Sequence, residues 1–82
     1  MENMADKTLN LLEVGERARI IQVKGGGGAR KRLLDMGMVP GTILSVIKKA
    51  PLGDPVDFKV KGYNLSLRKQ EAEMVVVEVL GD

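Results

Sequence analysis

Hydrophobic and polar residues alternate along much of this chain, which is the pattern of short β-strands that bury one face. The alternation predicts strands over residues 17–23, 42–49, 56–61, 63–68 and 75–80. In the first of these strands, the neighbours Ile20 and Ile21 break the alternation. That break predicts a β-bulge, or a strand end that is covered on both faces. Phe58 and Tyr63 fall at inward positions of their strands.

A short helix is predicted between the first two strands. Ala29, Leu33 and Met36 recur at helical spacing after a run of glycines, and Gly37 with the later Pro40 ends the helix over residues 29–36. The glycine run favours a flexible connection over a phosphate-binding loop, because the Gly-Lys-Ser/Thr ending of such loops is absent.

Shorter signals complete the outline of the chain. Asn10 and Glu13 have the spacing of a capping box around a single helical turn. Residues 69–74 favour a second single turn, and residues 50–55 are rich in turn formers. Residues 1–7 have little apolar content and predict a mobile N-terminal tail, so the folded domain is expected to span residues 8–82.

The outline has about five short strands with one helix in an early connection. Such a sequence is typical of a mainly β protein. We predict a small SH3-like antiparallel barrel, with an oligonucleotide-binding-type barrel as the alternative.

The composition excludes most catalytic chemistry. The chain has 82 residues with no cysteine and no histidine, so thiol nucleophiles, thiolate ligands and imidazole are all missing. The carboxylates form no convincing acid and base pair. We therefore expect no enzymatic activity, no catalytic residues, no cofactor and no metal site. No apolar run approaches the roughly 20 residues of a membrane span, and the start of the chain lacks a signal-peptide pattern, so we expect a cytoplasmic protein without membrane insertion.

The net charge is only +2, but the basic residues are clustered. Arg30, Lys31 and Arg32 occupy the first turn of the predicted helix, where the helix dipole disfavours each cation by about 0.3–1 kcal/mol. They form either a solubilising face or an electropositive patch for an acidic partner or a phosphate.

Binding of nucleic acid is a competing function for the basic residues. It would use these three side chains together with Lys48, Lys49, Lys59 and Lys61. We do not expect it, because one phenylalanine and one tyrosine at inward positions provide no platform for stacking bases.

Three apolar residues lie in predicted loops. Met38 and Val39 follow the helix, and Leu52 lies in the turn-rich segment. They either cover the end of the barrel or form an exposed apolar surface that binds a partner. With Arg32 nearby and Gly53 beside Leu52, the second interpretation predicts a partner-binding site made of Arg32, Met38, Val39, Leu52 and Gly53.

Four segments in this order resemble one known family: LEVGE at 12–16, RLLDMGMVPGT at 32–42, APLGDP at 50–55 and LSLR at 65–68. The family is FeoA, which comprises small cytoplasmic proteins of bacterial ferrous iron uptake. The resemblance implies an SH3-like barrel and an accessory role beside FeoB, a membrane permease with a GTPase domain. It also implies transition metal ion binding as a property of the family.

The resulting expectation is a non-enzymatic accessory protein that contacts the cytoplasmic part of a FeoB-type permease. The alternative is a small basic barrel that binds nucleic acid or another cytosolic protein.

Overall fold

Six strands form one antiparallel sheet in the order β1-β6-β2-β3-β4-β5. The structure is a computed structural model that describes residues 6–81. The strands are β1 (Asp6–Thr8), β2 (Arg17–Val23), β3 (Ile43–Lys49), β4 (Val56–Val60), β5 (Tyr63–Leu67) and β6 (Val75–Leu80). Helix α1 (Gly27–Asp35) connects β2 to β3, the short helix α2 (Lys69–Ala72) connects β5 to β6, and a single 3-10 turn covers Leu9–Leu11.

Strands with clear alternation lie where the sequence predicts them. β2 and β6 have the predicted bounds, and the other three predicted strands differ from the observed ones by one residue at an end. The predicted bulge is confirmed, because the pairing of β2 with β6 shifts register between Ile20 and Gln22. Ile21 is therefore turned outward, while Ile20 stays in the core.

The N-terminal strand β1 was not predicted. It pairs with β6 through Asp6 opposite Glu78, Lys7 opposite Val77 and Thr8 opposite Val76. The predicted tail of residues 1–7 is thus wrong for its last two residues, and residues 1–5 lie outside the described part of the chain. Residues Asp6–Thr8 are all polar, so they show no alternation that would predict a strand. They become a strand because the edge of β6 provides their hydrogen-bonding partners.

The first helical turn also differs from its prediction. It begins at Leu9, the residue before the predicted cap Asn10. Glu13 does not close a capping box; its backbone N–H donates to the Glu16 carboxylate at 2.7 Å. Burial explains the shift: Leu9 and Leu12 are both fully enclosed in the core. Anchoring these two leucines fixes the turn, and the capping signal is too weak to move it.

One hydrophobic cluster fills the space enclosed by the sheet and α1. Phe58 lies at its centre and is fully buried, as its strand position predicts. Tyr63 does not follow its prediction, because 44% of its surface is exposed at the rim of the sheet. Tyr63 lies at the hairpin end of β5, where it lines an apolar groove on the surface.

Candidate partner-binding surface

An apolar groove lies where the end of α1 and the segment leading to β3 meet the β4–β5 hairpin. We call it the Val39 groove; it encloses about 500 Å³ and is lined by Gly37, Val39, Gly41, Thr42, Ile43, Val60, Lys61 and Tyr63. Val39, Ile43 and Tyr63 each leave about 40% of their surface exposed. These side chains place exposed apolar surface in one concave site, the usual shape of a binding site.

The turn after α1 builds one wall of the groove. The N–H of Met38 donates to the carbonyl of Leu33, and the N–H of Gly37 donates to the carbonyl of Leu34, both at 3.0 Å. This pair of bonds is a Schellman motif with Gly37 at the left-handed position, φ +99°. The motif reverses the chain and directs Val39 to the groove.

Met38 lies on the other side of this turn and is fully buried. The prediction that its side chain contributes to an exposed partner surface is therefore wrong. In a Schellman motif, the residue after the glycine packs an apolar side chain against the last helical turn. In the sequence, Gly37 followed by the apolar Met38 is the signal for this contact. Its expected partner is Leu33 in the last turn of the helix, which is buried as well.

Tyr63 fixes the opposite wall to the same turn. Its hydroxyl donates to the carbonyl of Met36 at 2.8 Å. The same hydroxyl occupies the place where a Cβ on Gly37 would lie. Position 37 therefore has two reasons to be glycine: the positive φ and the contact with Tyr63. Sequence reasoning missed Tyr63 and Ile43 as groove residues, because the alternation pattern does not show which ends of strands remain uncovered.

Leu52 and Gly53 do not belong to this groove. Leu52 is 96% exposed in the β3–β4 loop, whereas Val39 precedes β3. β3 has 7 residues, so the two apolar side chains are separated by a strand of about 20 Å. The sequence predicts one apolar patch, but Val39 and Leu52 lie at two separate positions on the surface. Gly53 closes the loop by donating its N–H to the carbonyl of Ala50 at 2.7 Å.

Arg32 lies against α2. Its guanidinium is 2.9 Å from the carboxylate of Glu71, and its side chain remains 65% exposed. Asp54, in the loop that carries Leu52, accepts a hydrogen bond from the N–H of Lys69 at 2.9 Å. Both Arg32 and the Leu52 loop therefore contact α2, and neither contributes to the Val39 groove.

The other cations of α1 also have partners. Nε of Arg30 donates to the carbonyl of Val23 at 3.1 Å, and Lys31 pairs with Asp35 one turn later at 3.2 Å. α1 begins at Gly27, two residues before its predicted start, so Lys31 and Arg32 lie beyond the first turn, and Arg32 falls in the last turn, where the helix dipole favours a cation. The prediction that all three cations occupy the unfavourable first turn is therefore wrong. The three basic residues consequently support the local structure and do not form one free electropositive patch.

A second group of cations lies on the outer face of the sheet. Arg17 is opposite Ser45, which is opposite Lys59, and Lys61 follows at the hairpin. Among residues 6–81, no carboxylate lies within 4.0 Å of these three cations. Ile43 and Lys61 line both this face and the Val39 groove, so the apolar groove has a basic border.

Across residues 6–81, no three histidine, cysteine or acidic side chains lie close enough together to hold a metal ion. In the same part of the chain, no helix has the length and apolar character needed to cross a membrane. The Val39 groove has apolar walls and cations at its border.

This curved antiparallel sheet with one early helix is the architecture of a small SH3-like domain. The chain belongs to the FeoA family: the FeoA domain model matches residues 7–79. The resemblance read from the sequence is thereby confirmed. The family comprises small accessory domains linked to ferrous iron transport.

A relative in Porphyromonas gingivalis (strain ATCC BAA-308 / W83) carries this domain within a larger polypeptide. It is the Fe(2+) transport protein A/Fe(2+) transporter FeoB fusion protein, 43% identical over 72 residues. The match covers 88% of this chain and 8% of the fusion protein, so this chain spans only a small part of that relative's length.

Solved structures confirm the predicted SH3-like fold. The FeoA-like protein from Clostridium acetobutylicum superposes with a TM-score of 0.88 at 38% identity, over 98% of this chain and 93% of that one. FeoA of Stenotrophomonas maltophilia, described as an SH3 domain protein and solved with zinc, gives a TM-score of 0.77 at 29% identity, over 88% and 89% of the two chains.

The donor atoms of this chain do not fit a zinc site of the usual kind. Zinc in proteins is held mainly by cysteine sulfur and histidine nitrogen, and this sequence contains neither residue. Among residues 6–81, no three carboxylates lie close enough together to hold a metal ion.

Proposed function

We propose that this protein is a non-enzymatic accessory protein of bacterial ferrous iron uptake, which acts in the cytoplasm by direct contact with a FeoB-type permease. The observation that carries the proposal is the fusion protein of Porphyromonas gingivalis, in which a domain 43% identical to this chain is joined to FeoB. Two domains joined in one polypeptide act at a high effective concentration, which favours an interaction between them.

The Val39 groove is the proposed main contact. Fully burying a large aliphatic side chain contributes about 1.5–3 kcal/mol, so burying the exposed part of Val39, Ile43 and Tyr63 contributes about 1 kcal/mol each. Leu52, which is 96% exposed, contributes about 2 kcal/mol if it is also covered. We retain Arg32, Val39, Leu52 and Gly53 as proposed contacts, with Met38 supporting them from the core.

A matched pair of isoleucines tests the groove. Ile43 lines the groove and is 40% exposed, while Ile21 lies on β2 outside it and is 38% exposed. The full chain is titrated by calorimetry against the purified cytoplasmic part of a FeoB permease. Ile43→Asp is expected to weaken binding by about tenfold or more, because a carboxylate would be desolvated in an apolar contact. Ile21→Asp is the control and should bind like the unmodified chain.

Two results would reject the proposal. If the unmodified chain shows no saturable binding to the cytoplasmic part of FeoB, direct contact is not its mode of action. If both isoleucine variants bind equally well, the contact lies elsewhere on the domain.

Nucleic acid is the second candidate partner. The observation that favours it is the group of cations on the outer face, Arg17, Lys59 and Lys61, which have no carboxylate partner in the described part of the chain. Such binding would weaken steeply as salt concentration rises. Fluorescence anisotropy with labelled RNA and DNA at low salt measures it. Unchanged anisotropy at high protein concentration removes this candidate.

A further inference from the structure

β5 is an edge strand with an unoccupied side. Within residues 6–81, it is last in the sheet order and pairs with β4 alone. Among residues 6–81, hydrogen bonds reach the backbone of Tyr63–Leu67 only from β4. A strand edge of this kind is a template for a further strand.

The hairpin turn determines which groups face the open side. Lys61 and Gly62 form a two-residue turn, with Val60 opposite Tyr63. In such hairpins, the pair that flanks the turn is hydrogen-bonded, and hydrogen-bonded pairs then alternate along the strands. The N–H and carbonyl groups of Asn64 and Ser66 therefore point away from β4, toward the open side.

β5 lacks the features that usually protect an edge. Its sequence is Tyr-Asn-Leu-Ser-Leu, with no charged residue and no proline, and its pairing with β4 runs without a bulge. Natural edge strands are commonly short, charged, bulged or interrupted by proline, because an unprotected edge aggregates. The opposite edge, β1, has only 3 residues. An unprotected edge in a stable domain is typical of a site for β-strand addition.

Charges at the two ends of β5 select the occupant. Lys61 precedes the strand and Arg68 follows it, and both are exposed. Two carboxylates lie at the Arg68 end: Glu71 accepts from the N–H of Arg68 and pairs with Arg32, and Asp54 accepts from the N–H of Lys69. The three cations Arg32, Arg68 and Lys69 outnumber these two carboxylates. Both ends of the edge therefore remain positive.

A second copy of this chain does not fit that edge. Antiparallel pairing of two β5 strands would place Lys61 of each copy near Arg68 of the other. Parallel pairing would place each cation against its own equivalent. Like charges facing across strands are destabilising, so the edge favours a segment with the opposite charge.

We propose that β5 is a docking edge that takes an extended segment of a partner protein as an additional strand, with acidic side chains at both ends of that segment. Lys61 lies in the hairpin turn just before the strand and Arg68 directly follows it, so the matching carboxylates should flank an extended segment about as long as Tyr63–Leu67, which has 5 residues and spans about 17 Å. The identity of the partner as a FeoB-type permease rests on the proposed function, whereas the docking edge itself does not.

Two peptides test the edge without the permease. Both have an alternating threonine and valine core; one carries two glutamates at each end and the other two lysines at each end. The full chain, labelled with ¹⁵N, is titrated with each. The acidic peptide is expected to shift the amide signals of Asn64 and Ser66 and to slow their hydrogen exchange. The lysine peptide should bind at least about tenfold more weakly, since it meets like charges at both ends.

A proline substitution removes one outward donor from the edge. Asn64→Pro loses an N–H that does not pair with β4, so the sheet is retained, while Asn64→Ala keeps that donor and is the matched control. The proline variant is expected to bind the acidic peptide about 3–10 times more weakly than the alanine variant. If the proline variant fails to fold, hydrogen exchange in the unmodified chain tests the docking edge instead. Slower exchange of the Asn64 and Ser66 amides with the acidic peptide bound supports it, and unchanged exchange rejects it.

The outcomes separate the two proposals. If the acidic peptide leaves Asn64 and Ser66 unprotected, or the lysine peptide binds equally well, the docking edge is wrong, whatever FeoB does. If the acidic peptide protects both amides but the cytoplasmic part of FeoB does not bind, the docking edge stands and the proposed partner is wrong. If both bind, Asn64→Pro should weaken both interactions.

Discussion

Replacement of Gly37 by alanine is expected to destabilise the protein through two separate effects. The first is backbone strain: Gly37 has φ +99°, and an L-residue forced into a left-handed conformation costs about 1–2 kcal/mol. The second is the new Cβ, which would lie where the Tyr63 hydroxyl is. Displacing that hydroxyl breaks its 2.8 Å hydrogen bond to Met36, a loss of about 1 kcal/mol.

Together the two effects predict that Gly37→Ala lowers the free energy of unfolding by about 2–3 kcal/mol. For a domain of this size, such a loss lowers Tm by about 10–20 °C. Urea unfolding followed by far-ultraviolet circular dichroism measures it, and an unchanged m-value shows that the unfolded state is unaffected.

Two further variants separate strain from contact. Gly41 has a similar φ of +96° but open space around its Cα, so Gly41→Ala should show the strain alone, about 1–2 kcal/mol. Tyr63→Phe should cost about 1 kcal/mol, the hydroxyl bond alone. In the Gly37→Ala background, Tyr63→Phe should lower the free energy of unfolding little further, because the hydrogen bond from Tyr63 to Met36 is already lost. The double-mutant cycle should therefore give a coupling free energy of about 1 kcal/mol. Combined with Gly41→Ala, Tyr63→Phe should be additive.

The explanation fails if Gly37→Ala is no less stable than Gly41→Ala. It also fails if the Gly37 and Tyr63 substitutions are additive, because the turn and the hairpin would then not be joined by that hydroxyl.

Two other predictions concern the remaining residues of the proposed site. Met38→Ala should lower the free energy of unfolding by about 2–5 kcal/mol because Met38 is fully buried, whereas Leu52→Ala should change it by less than about 0.5 kcal/mol. Equal effects in chemical denaturation would contradict the burial of one and the exposure of the other. Arg32→Ala should cost less than about 1 kcal/mol, because the pair with Glu71 is largely open to solvent on the arginine side. That cost should shrink in about 1 M salt, where charges are screened within about 3 Å; a cost that salt does not change would show that Arg32 acts by packing instead.

The sequence predicted most strands and the bulge in β2, because both follow from the order of apolar and polar residues that are neighbours in the chain. Alternation located β2 and β6 with their observed bounds. The adjacent Ile20 and Ile21 located the bulge, since two successive apolar residues interrupt the alternation of a strand that buries one face. The family resemblance in four segments supplied the SH3-like fold and the link to ferrous iron transport, and both are confirmed.

The partner surface was only partly readable, because exposure depends on what covers a residue. Met38 and Val39 are neighbours in the chain, yet the Schellman turn buries one and exposes the other. Val39 and Leu52 look alike as loop residues, but a full strand separates them. Tyr63 has the pattern of a core residue and lies at an uncovered rim.

The sequence by itself determined five of the strands and helix α1, because hydrophobic periodicity and turn residues act over short distances along the chain. Its resemblance in four segments determined the family and, with it, the SH3-like fold. Only the tertiary structure decided that residues 6 and 7 join the sheet, which loop side chains meet, and which strand edge stays open. These properties arise from contacts between segments far apart in sequence, and no local pattern of side chains encodes them.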